Sequence, residues 1–360
     1  MNRGRLPDPA FWEGRKVLIT GHTGFKGGWL TLMLNELGAS VSGLSDRIPT
    51  DPSYFTVADV AGALNHDLRI DVRDAQSITA TIQSLQPEIV FHLAAQPLVL
   101  EGARDPVGTF ATNVMGTVNV LDACLRTPGV LACIVITTDK VYRPSVDEHG
   151  HREDDPLGGD EPYSASKVGA EMAAASYMTL AKDSGLQVVT CRAGNVIGGG
   201  DWSPWRLLPD LLAALDSGDE IQLRHPSAVR PWQHVIDPLT GYAVLAESLC
   251  GPGGHQLPRS WNFGPPSTDS RTVMDLVREV QECAGSPLKV TVLEESHPET
   301  PFLALSSGRA ESELGWSPRW NFDASIDQTV RWHMEWRSGR DMAMKSRRFV
   351  QEQIKGSASV

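Results

Sequence analysis

The 360-residue sequence has no apolar run approaching the roughly 18 residues of a membrane span, which argues against a helical membrane protein. The stretch from Met1 to Trp12 carries Arg3 and Arg5 but no apolar segment, so no secretory signal is expected there. Cysteine is scarce and dispersed. Cys124, Cys133, Cys191, Cys250 and Cys283 show no metal-ligand spacing, and an odd, scattered set of thiols points to a reduced, cytoplasmic chain with no metal site. Positive charge is in deficit: 32 Lys and Arg against 44 Asp and Glu give a net charge of -12. That balance excludes a general nucleic-acid surface but leaves room for a local basic pocket around an anionic ligand. Internal repeats and low-complexity tracts are also absent. With 41% hydrophobic residues, the chain is long enough for a large core and about two domains.

The most informative stretch runs from Lys16 to Trp29. An apolar run, Val17 to Ile19, precedes Gly21, Gly24 and Gly27, and an apolar helical pattern continues to Leu37. This reads as strand, tight turn and helix, with glycines where backbone must approach a phosphate and where helix must approach strand. The helix N-terminus then offers unpaired N–H groups to a pyrophosphate. The spacing is G-x-x-G-x-x-G, which differs from G-x-G-x-x-G.

Further strands follow at Ser40 to Leu44, near Leu68 to Asp71, at Ile89 to Ala95, at Ala132 to Ile136 and at Val188 to Ala193. Continuously apolar strands such as Ile89 to Ala95 suit a parallel sheet covered on both faces. Beyond the second strand, Asp46 favours a free ribose 2′-hydroxyl, as in NAD, whereas Arg47 could hold a 2′-phosphate. Asp71, with Val72 beside it, could accept from an adenine amino group or cap the next helix. The small residues Ala94 and Ala95, after Leu93, leave room for a flat cofactor. A helix is expected from Val107 to Leu125, with Phe110, Val114, Val118 and Leu121 near one face. The fifth strand ends in Thr137-Thr138-Asp139-Lys140, where the crevice of an open α/β sheet lies.

A polar loop that could act as a flap, Pro144 to Pro162, leads to Tyr163-Ser-Ala-Ser-Lys167 at the start of a helix running to about Ala181. Tyr163 and Lys167 share one helical face. A nearby ammonium is expected to lower the tyrosine pKa and let it act as a base toward an alcohol. Downstream, Arg206, Arg224, Arg230, His234 and Asn262 alternate with Trp202, Trp205, Trp232 and Trp261. Arginine forks match phosphate oxygens and aromatic faces can stack on a base or sugar, although some of these tryptophans could equally be core. Thr272 to Ala284 reads as an amphipathic helix, and the basic stretch beyond Arg340 is expected to fray.

Together these motifs resemble the extended short-chain dehydrogenase/reductase superfamily. Gly21-His-Thr-Gly-Phe-Lys-Gly27, His92-Leu-Ala-Ala-Gln-Pro-Leu98, Thr112-Asn-Val-Met-Gly-Thr117, Arg192 to Trp202, Arg230-Pro-Trp-Gln-His-Val235 and Trp261-Asn-Phe-Gly-Pro265 resemble in detail the CDP-glucose 4,6-dehydratase family. The match runs from about Trp12 to Trp336. Lys140 is similar to that branch, where other sugar-nucleotide dehydratases commonly have glutamate. Leu100 stands where the resemblance leads one to expect an arginine, and Ser306-Ser307-Gly308-Arg309 where an acidic segment is usual.

The resemblance implies an α/β fold: a Rossmann-type, doubly wound, seven-stranded parallel sheet with a smaller C-terminal substrate lobe. Residues 12–194 would mainly form the NAD-binding domain. Residues 195–340 would mainly form the nucleotide-sugar lobe, with some elements returning to the first domain, and 341–360 a polar tail. It further implies tightly held NAD, with NADP left open by Arg47, and a homodimer or homotetramer. The cofactor residues would be Gly21, Thr23, Gly24, Phe25, Lys26, Gly27, Asp71, Val72, Leu93, Ala94, Ala95, Tyr163 and Lys167. Thr138, Asp139, Lys140, Tyr163 and Lys167 would be catalytic. Asn195, Arg206 and Arg230 would hold the pyrophosphate and adjacent sugar, with Gln96, Asn262 and His297 as further substrate contacts. A 4-epimerase, a 4-ketoreductase or a non-catalytic dinucleotide sensor on the same scaffold are the alternative readings.

Overall fold

A computed structural model describes residues 4–144, 150–266, 269, 271–293 and 301–356. Seven strands form one parallel sheet: β1 (Lys16–Thr20), β2 (Ser40–Ser45), β3 (His66–Arg69), β4 (Ile89–His92), β5 (Ala132–Ile136), β6 (Gln187–Ala193) and β7 (Ser260–Phe263). Their spatial order is β7-β6-β5-β4-β1-β2-β3, with every neighbouring pair parallel. The order reverses between β1 and β4, the switch point beyond whose strand carboxyl ends open α/β sheets hold their ligands.

Successive strand residues point to opposite faces, and both faces are covered. Ile19, Phe91, Ile134 and Ile136 join one apolar cluster with Trp29, Tyr242, Trp261 and Trp316. Leu18, Val90, Cys133 and Val135 join a second with Ile78, Ile82, Val120 and Leu121. Helix Ile236–Cys250, far along the chain, is part of the first cluster and packs with the sheet residues. The third strand starts earlier than the sequence suggests, at His66, and Asp71 lies past its end.

A separate lobe has its own core, in which Leu208, Leu211, Trp232, Leu276, Val277, Val280, Phe322 and Ile326 meet. Helix Val273–Ala284 matches the amphipathic pattern, with Thr272 as its N-cap in a capping box with Asp275. The tail is a correction. Beyond Arg340 the chain does not fray but forms helix Met342–Ile354, with Phe349, Val350 and Ile354 buried in the sheet domain's core. Its polar composition hid a narrow apolar stripe, while Arg347 pairs with Glu36 on the helix that follows β1.

Candidate active site

The glycine turn is shaped by close backbone contact. Gly21 has φ +78°, and a Cβ there would sit 2.7 Å from the Ala94 nitrogen. A Cβ on Gly27 would lie 2.1 Å from the Gly21 carbonyl oxygen. Helix Phe25–Glu36 then begins at Gly24, which makes no side-chain capping bond, so its first N–H groups remain for a ligand. A bare helix N-terminus beside a turn that admits no side chain fits a dinucleotide pyrophosphate. Thr23 ties the turn to β2: its hydroxyl donates to the Arg47 carbonyl at 2.6 Å. His22 is a residue the sequence reading missed. It is fully buried, with Nδ1 3.0 Å from Ser45 Oγ and Nε2 2.7 Å from Asp67 Oδ1, and so clamps the turn to β2 and β3. At the ribose end Asp46 and Arg47 are both exposed, 3.8 Å apart. Asp71 accepts from the Arg73 guanidinium, which holds its carboxyl below the usual range, and Val72 is buried against Gly116. Leu93, Ala94 and Ala95 are half-buried beyond β4, across from Gly21.

At the end of β5, Thr138 caps a short turn, Asp139–Val141. Its hydroxyl donates to Asp139 Oδ1 at 3.0 Å and accepts from the Lys140 N–H at 3.3 Å. Asp139 is 2% exposed, and burial raises its pKa despite Lys140, Thr138, Arg230 and Lys26 nearby. The shift is toward the protonated form, the direction a general acid needs.

Helix Pro162–Leu180 starts just before Tyr163 because Pro162 occupies its first turn and Glu161 accepts from the Tyr163 and Ser164 N–H groups, both at 2.7 Å. The start is a capping box between Glu161 and Ser164. Tyr163 and Lys167 are both buried on one face, as the spacing requires. The electrostatics differ from the sequence expectation. Tyr163 is pushed up to about 12, because burial outweighs the Thr138 hydrogen bond and the Arg206 charge. The Lys167 ammonium instead donates to the Ile136 carbonyl at 2.9 Å, and burial, with Lys26 nearby, lowers it to about 7. Lys26, in the glycine turn, is itself lowered to about 8 by burial and Arg206.

Of the remaining expected contacts, Arg206 is beside this cluster and pairs with Asp201 at 3.0 Å. Arg230 is nearly buried, donates to the Val229 carbonyl at 2.8 Å, and lines a small cavity with Pro231, Pro265, Asp269 and Leu303. Asn195 is half-buried just past β6. Gln96 donates to Thr109 at 2.9 Å and accepts from the Leu98 N–H at 2.6 Å, beside Gly102, which packs against Tyr163. Asn262 is a correction: it is 0% exposed, accepts from the Tyr142 hydroxyl at 2.7 Å and donates to the His151 carbonyl at 2.9 Å. Its amide oxygen and amide nitrogen each have a partner within the protein. His297 lies outside the described residues.

Trp261 and Trp232 are core, His234 stacks on Trp320 at 5.0 Å, and Trp205 alone of the four tryptophans is exposed, under the Arg104 guanidinium at 4.7 Å. The polar segment after Tyr142 is pinned where it is described. His151 stacks on Tyr142 at 4.6 Å, and Arg309 reaches Asp154 at 2.8 Å. Residues 145–149 of that segment lie outside the description. Arg309 thus places a cation against acids of the segment, where the resemblance leads one to expect an acid. Among the described residues, no group of three His, Cys, Asp or Glu side chains could hold a metal, and no helix is long and apolar enough to cross a membrane.

A glycine turn at the sheet's switch point, facing a buried tyrosine–lysine pair, defines a dinucleotide-dependent α/β enzyme scaffold. Residues 17–257 match the NAD dependent epimerase/dehydratase family, and the chain belongs to it. It is 39% identical to a CDP-glucose 4,6-dehydratase of Salmonella typhimurium over 352 residues, 96% of this chain and 98% of that relative. A dTDP-glucose 4,6-dehydratase of Streptomyces griseus is 30% identical, over 89% of this chain and 95% of its own length. Among solved structures, DesIV, a dTDP-glucose 4,6-dehydratase from Streptomyces venezuelae with NAD and TYD bound, superimposes with a TM-score of 0.78. It is 26% identical, covering 90% of this chain and 98% of that one.

Proposed function

We propose that the protein is a CDP-glucose 4,6-dehydratase, converting CDP-glucose to CDP-4-keto-6-deoxyglucose and water with bound NAD. The observation that carries this reading is Asp139: a buried carboxyl whose pKa burial raises, held by Thr138 within the electrostatic reach of Tyr163. An epimerase or ketoreductase working only at C4 has no use for an added acid. The 39% identical relative, a CDP-glucose 4,6-dehydratase, supports the choice of cytidine nucleotide and glucose.

NAD, when bound, supplies the two-electron acceptor for C4 and the donor for C6. Tyr163 takes the proton of the 4-hydroxyl, and Thr138 hydrogen-bonds the 4-oxygen. Lys167 binds the nicotinamide ribose and, as an ammonium, stabilises the phenolate of Tyr163; its charge does not lower the tyrosine while it is turned to Ile136. The C4 carbonyl makes the C5 proton acidic. Lys140 removes that proton, and Asp139 delivers one to the 6-oxygen, which leaves as water. Lys140 then returns its proton to C5 as C6 is reduced, so the cofactor ends each turnover as it began. Arg206, Arg230 and Asn195 hold the pyrophosphate and the adjacent sugar.

The decisive experiment incubates the purified protein with CDP-, dTDP-, UDP- and GDP-glucose and follows the products by mass spectrometry. Loss of one water from CDP-glucose alone is the expected result. Products of unchanged mass would favour epimerisation instead. Replacing Tyr163 with Phe should slow turnover by about 10²- to 10⁴-fold while sugar-nucleotide binding persists.

The same reading includes a homo-oligomer. Val107 is 80% exposed, and Phe110, Met115, Met172 and Leu180 also face outward on two adjacent helical segments. Ala173 and Ala175 are at least partly exposed on the second, whereas Ala170 and Ala174 turn inward. Pairing these faces about a two-fold axis would bury the apolar residues in a four-helix contact. Light scattering at micromolar concentration should give at least a dimer, and a monomer would remove this part of the reading. The five unpaired cysteines support a cytoplasmic location.

A further inference from the structure

Glu171 lies one helical turn beyond Lys167, so Tyr163, Lys167 and Glu171 occupy one buried face of the same helix. All the hydrogen bonds described for its carboxylate converge on the end of β5 and on β6. Oε1 accepts from the Thr137 hydroxyl at 2.6 Å and from Arg192 Nε at 2.9 Å. Oε2 accepts from the Thr190 hydroxyl at 2.8 Å and from Arg192 Nη2 at 2.9 Å. The guanidinium of Arg192 continues the chain of contacts: its Nη1 donates to the Tyr142 hydroxyl at 2.7 Å and to the Glu153 carbonyl at 2.9 Å. The catalytic turn Thr138–Lys140 is thus held on both sides, at Thr137 by Glu171 and at Tyr142 by Arg192. Lys167 grips the adjacent Ile136 carbonyl.

We propose that Glu171, locked in place by Arg192, is a positioning residue for the acid–base site: it fixes the Thr137–Tyr142 turn and sets a negative charge one helical turn from Lys167. This inference rests on the reading of Tyr163 and Lys167 as the base and its partner. A buried ion pair is weak grounds for stability, since apolar residues of similar volume often replace such pairs without loss. What this pair does that apolar residues could not is hold both ends of the turn while placing a negative charge one helical turn from Lys167. Around Lys167 stand Lys26 from the glycine turn, His92 from β4, and Tyr163 and Glu171 on its own helix, with Arg192 from β6 paired to Glu171. Burial and Lys26 favour the neutral amine, and Glu171 opposes them.

The test compares the NAD-loaded wild type with E171Q, E171D and T137V, using CDP-glucose and recording kcat and KM across pH. Activity that depends on a charged Lys167 is lost as pH rises through its pKa. Removing the Glu171 charge lowers that pKa further, so in E171Q the alkaline limb of kcat/KM should move to lower pH by about one unit. E171D restores the charge on a shorter side chain, so the limb should return while kcat stays low. T137V removes the hydroxyl grip and leaves the ion pair, so kcat should fall about tenfold with KM and the limb unchanged. An unmoved limb in E171Q overturns the proposal, as does activity lost only in proportion to unfolded protein. Should E171Q fail to fold, T137V decides, and wild-type kcat in T137V overturns the clamp. Tyr163→Phe at full activity would sink the underlying reading; an inactive Tyr163→Phe with an unshifted E171Q sinks this inference alone.

Discussion

The Thr138 hydroxyl donates to Asp139 Oδ1 at 3.0 Å, while Asp139 Oδ2 is buried without a hydrogen-bond partner among the described residues. One oxygen is fixed and the other is bare, in a position a Cβ on Gly194 would approach to 3.1 Å. Asp139→Asn keeps the shape and removes the proton. We expect product formation to fall by about 10²- to 10⁴-fold, measured by mass spectrometry, with sugar-nucleotide binding retained. Folding stability at pH 8, measured by urea titration, should hold or rise, because a desolvated carboxyl no longer has to ionise. Unchanged turnover would remove Asp139 from the mechanism.

Lys140→Met separates the steps differently. Oxidation at C4 should proceed and water loss should stop, so the near-ultraviolet absorbance of the reduced dinucleotide should rise when CDP-glucose is added. Solvent deuterium should fail to enter C5 in this variant, yet still enter it in Asp139→Asn, where the amine remains. Product at the wild-type rate would show Lys140 to be a bystander.

Asp237 gives a pH prediction outside the active site. It is 1% exposed, and burial pushes its pKa up to about 7 although its Oδ2 accepts the N–H groups of Arg319 and Trp320, both at 3.1 Å. Between the ordinary value of 3.8 and about 7, the folded chain holds a proton that the unfolded chain has released. Stability contributed by this group therefore falls as pH rises through that window and is level above it. Urea titrations should show a smaller loss between pH 4 and pH 7, both about the limits of that window, in Asp237→Asn than in the wild type. An identical slope in the two proteins would refute this.

Phe349→Ala tests the C-terminal helix. Phe349 is 7% exposed and meets Trp29 at 5.7 Å and His234 at 5.4 Å, edge to face. Removing the ring should cost about 3–5 kcal/mol of unfolding free energy in urea titration. A loss near zero would mean that the helix does not hold the core.

The local motifs carried a great deal. Glycine spacing, strand runs and the four-residue step from Tyr163 to Lys167 depend on chain geometry alone, and the structure has the turn, the parallel strands and the shared helix face. Asp139 was legible in the same way, as a carboxyl at the carboxyl end of a strand. Burial was not. Tyr163 is raised, not lowered, because desolvation is a property of everything packed around it and Lys167 has a backbone carbonyl to bind. Asn262 reads like a ligand residue until the fold surrounds it with Tyr142 and His151, 120 and 111 residues away along the chain. The tail reads as polar because only one stripe of its helix is apolar, and which face meets Trp29 is settled only by packing. What the sequence determined is local periodicity and residue chemistry; what tertiary structure decided is which charges lose water and which polar groups are already satisfied, since both depend on neighbours distant in the chain.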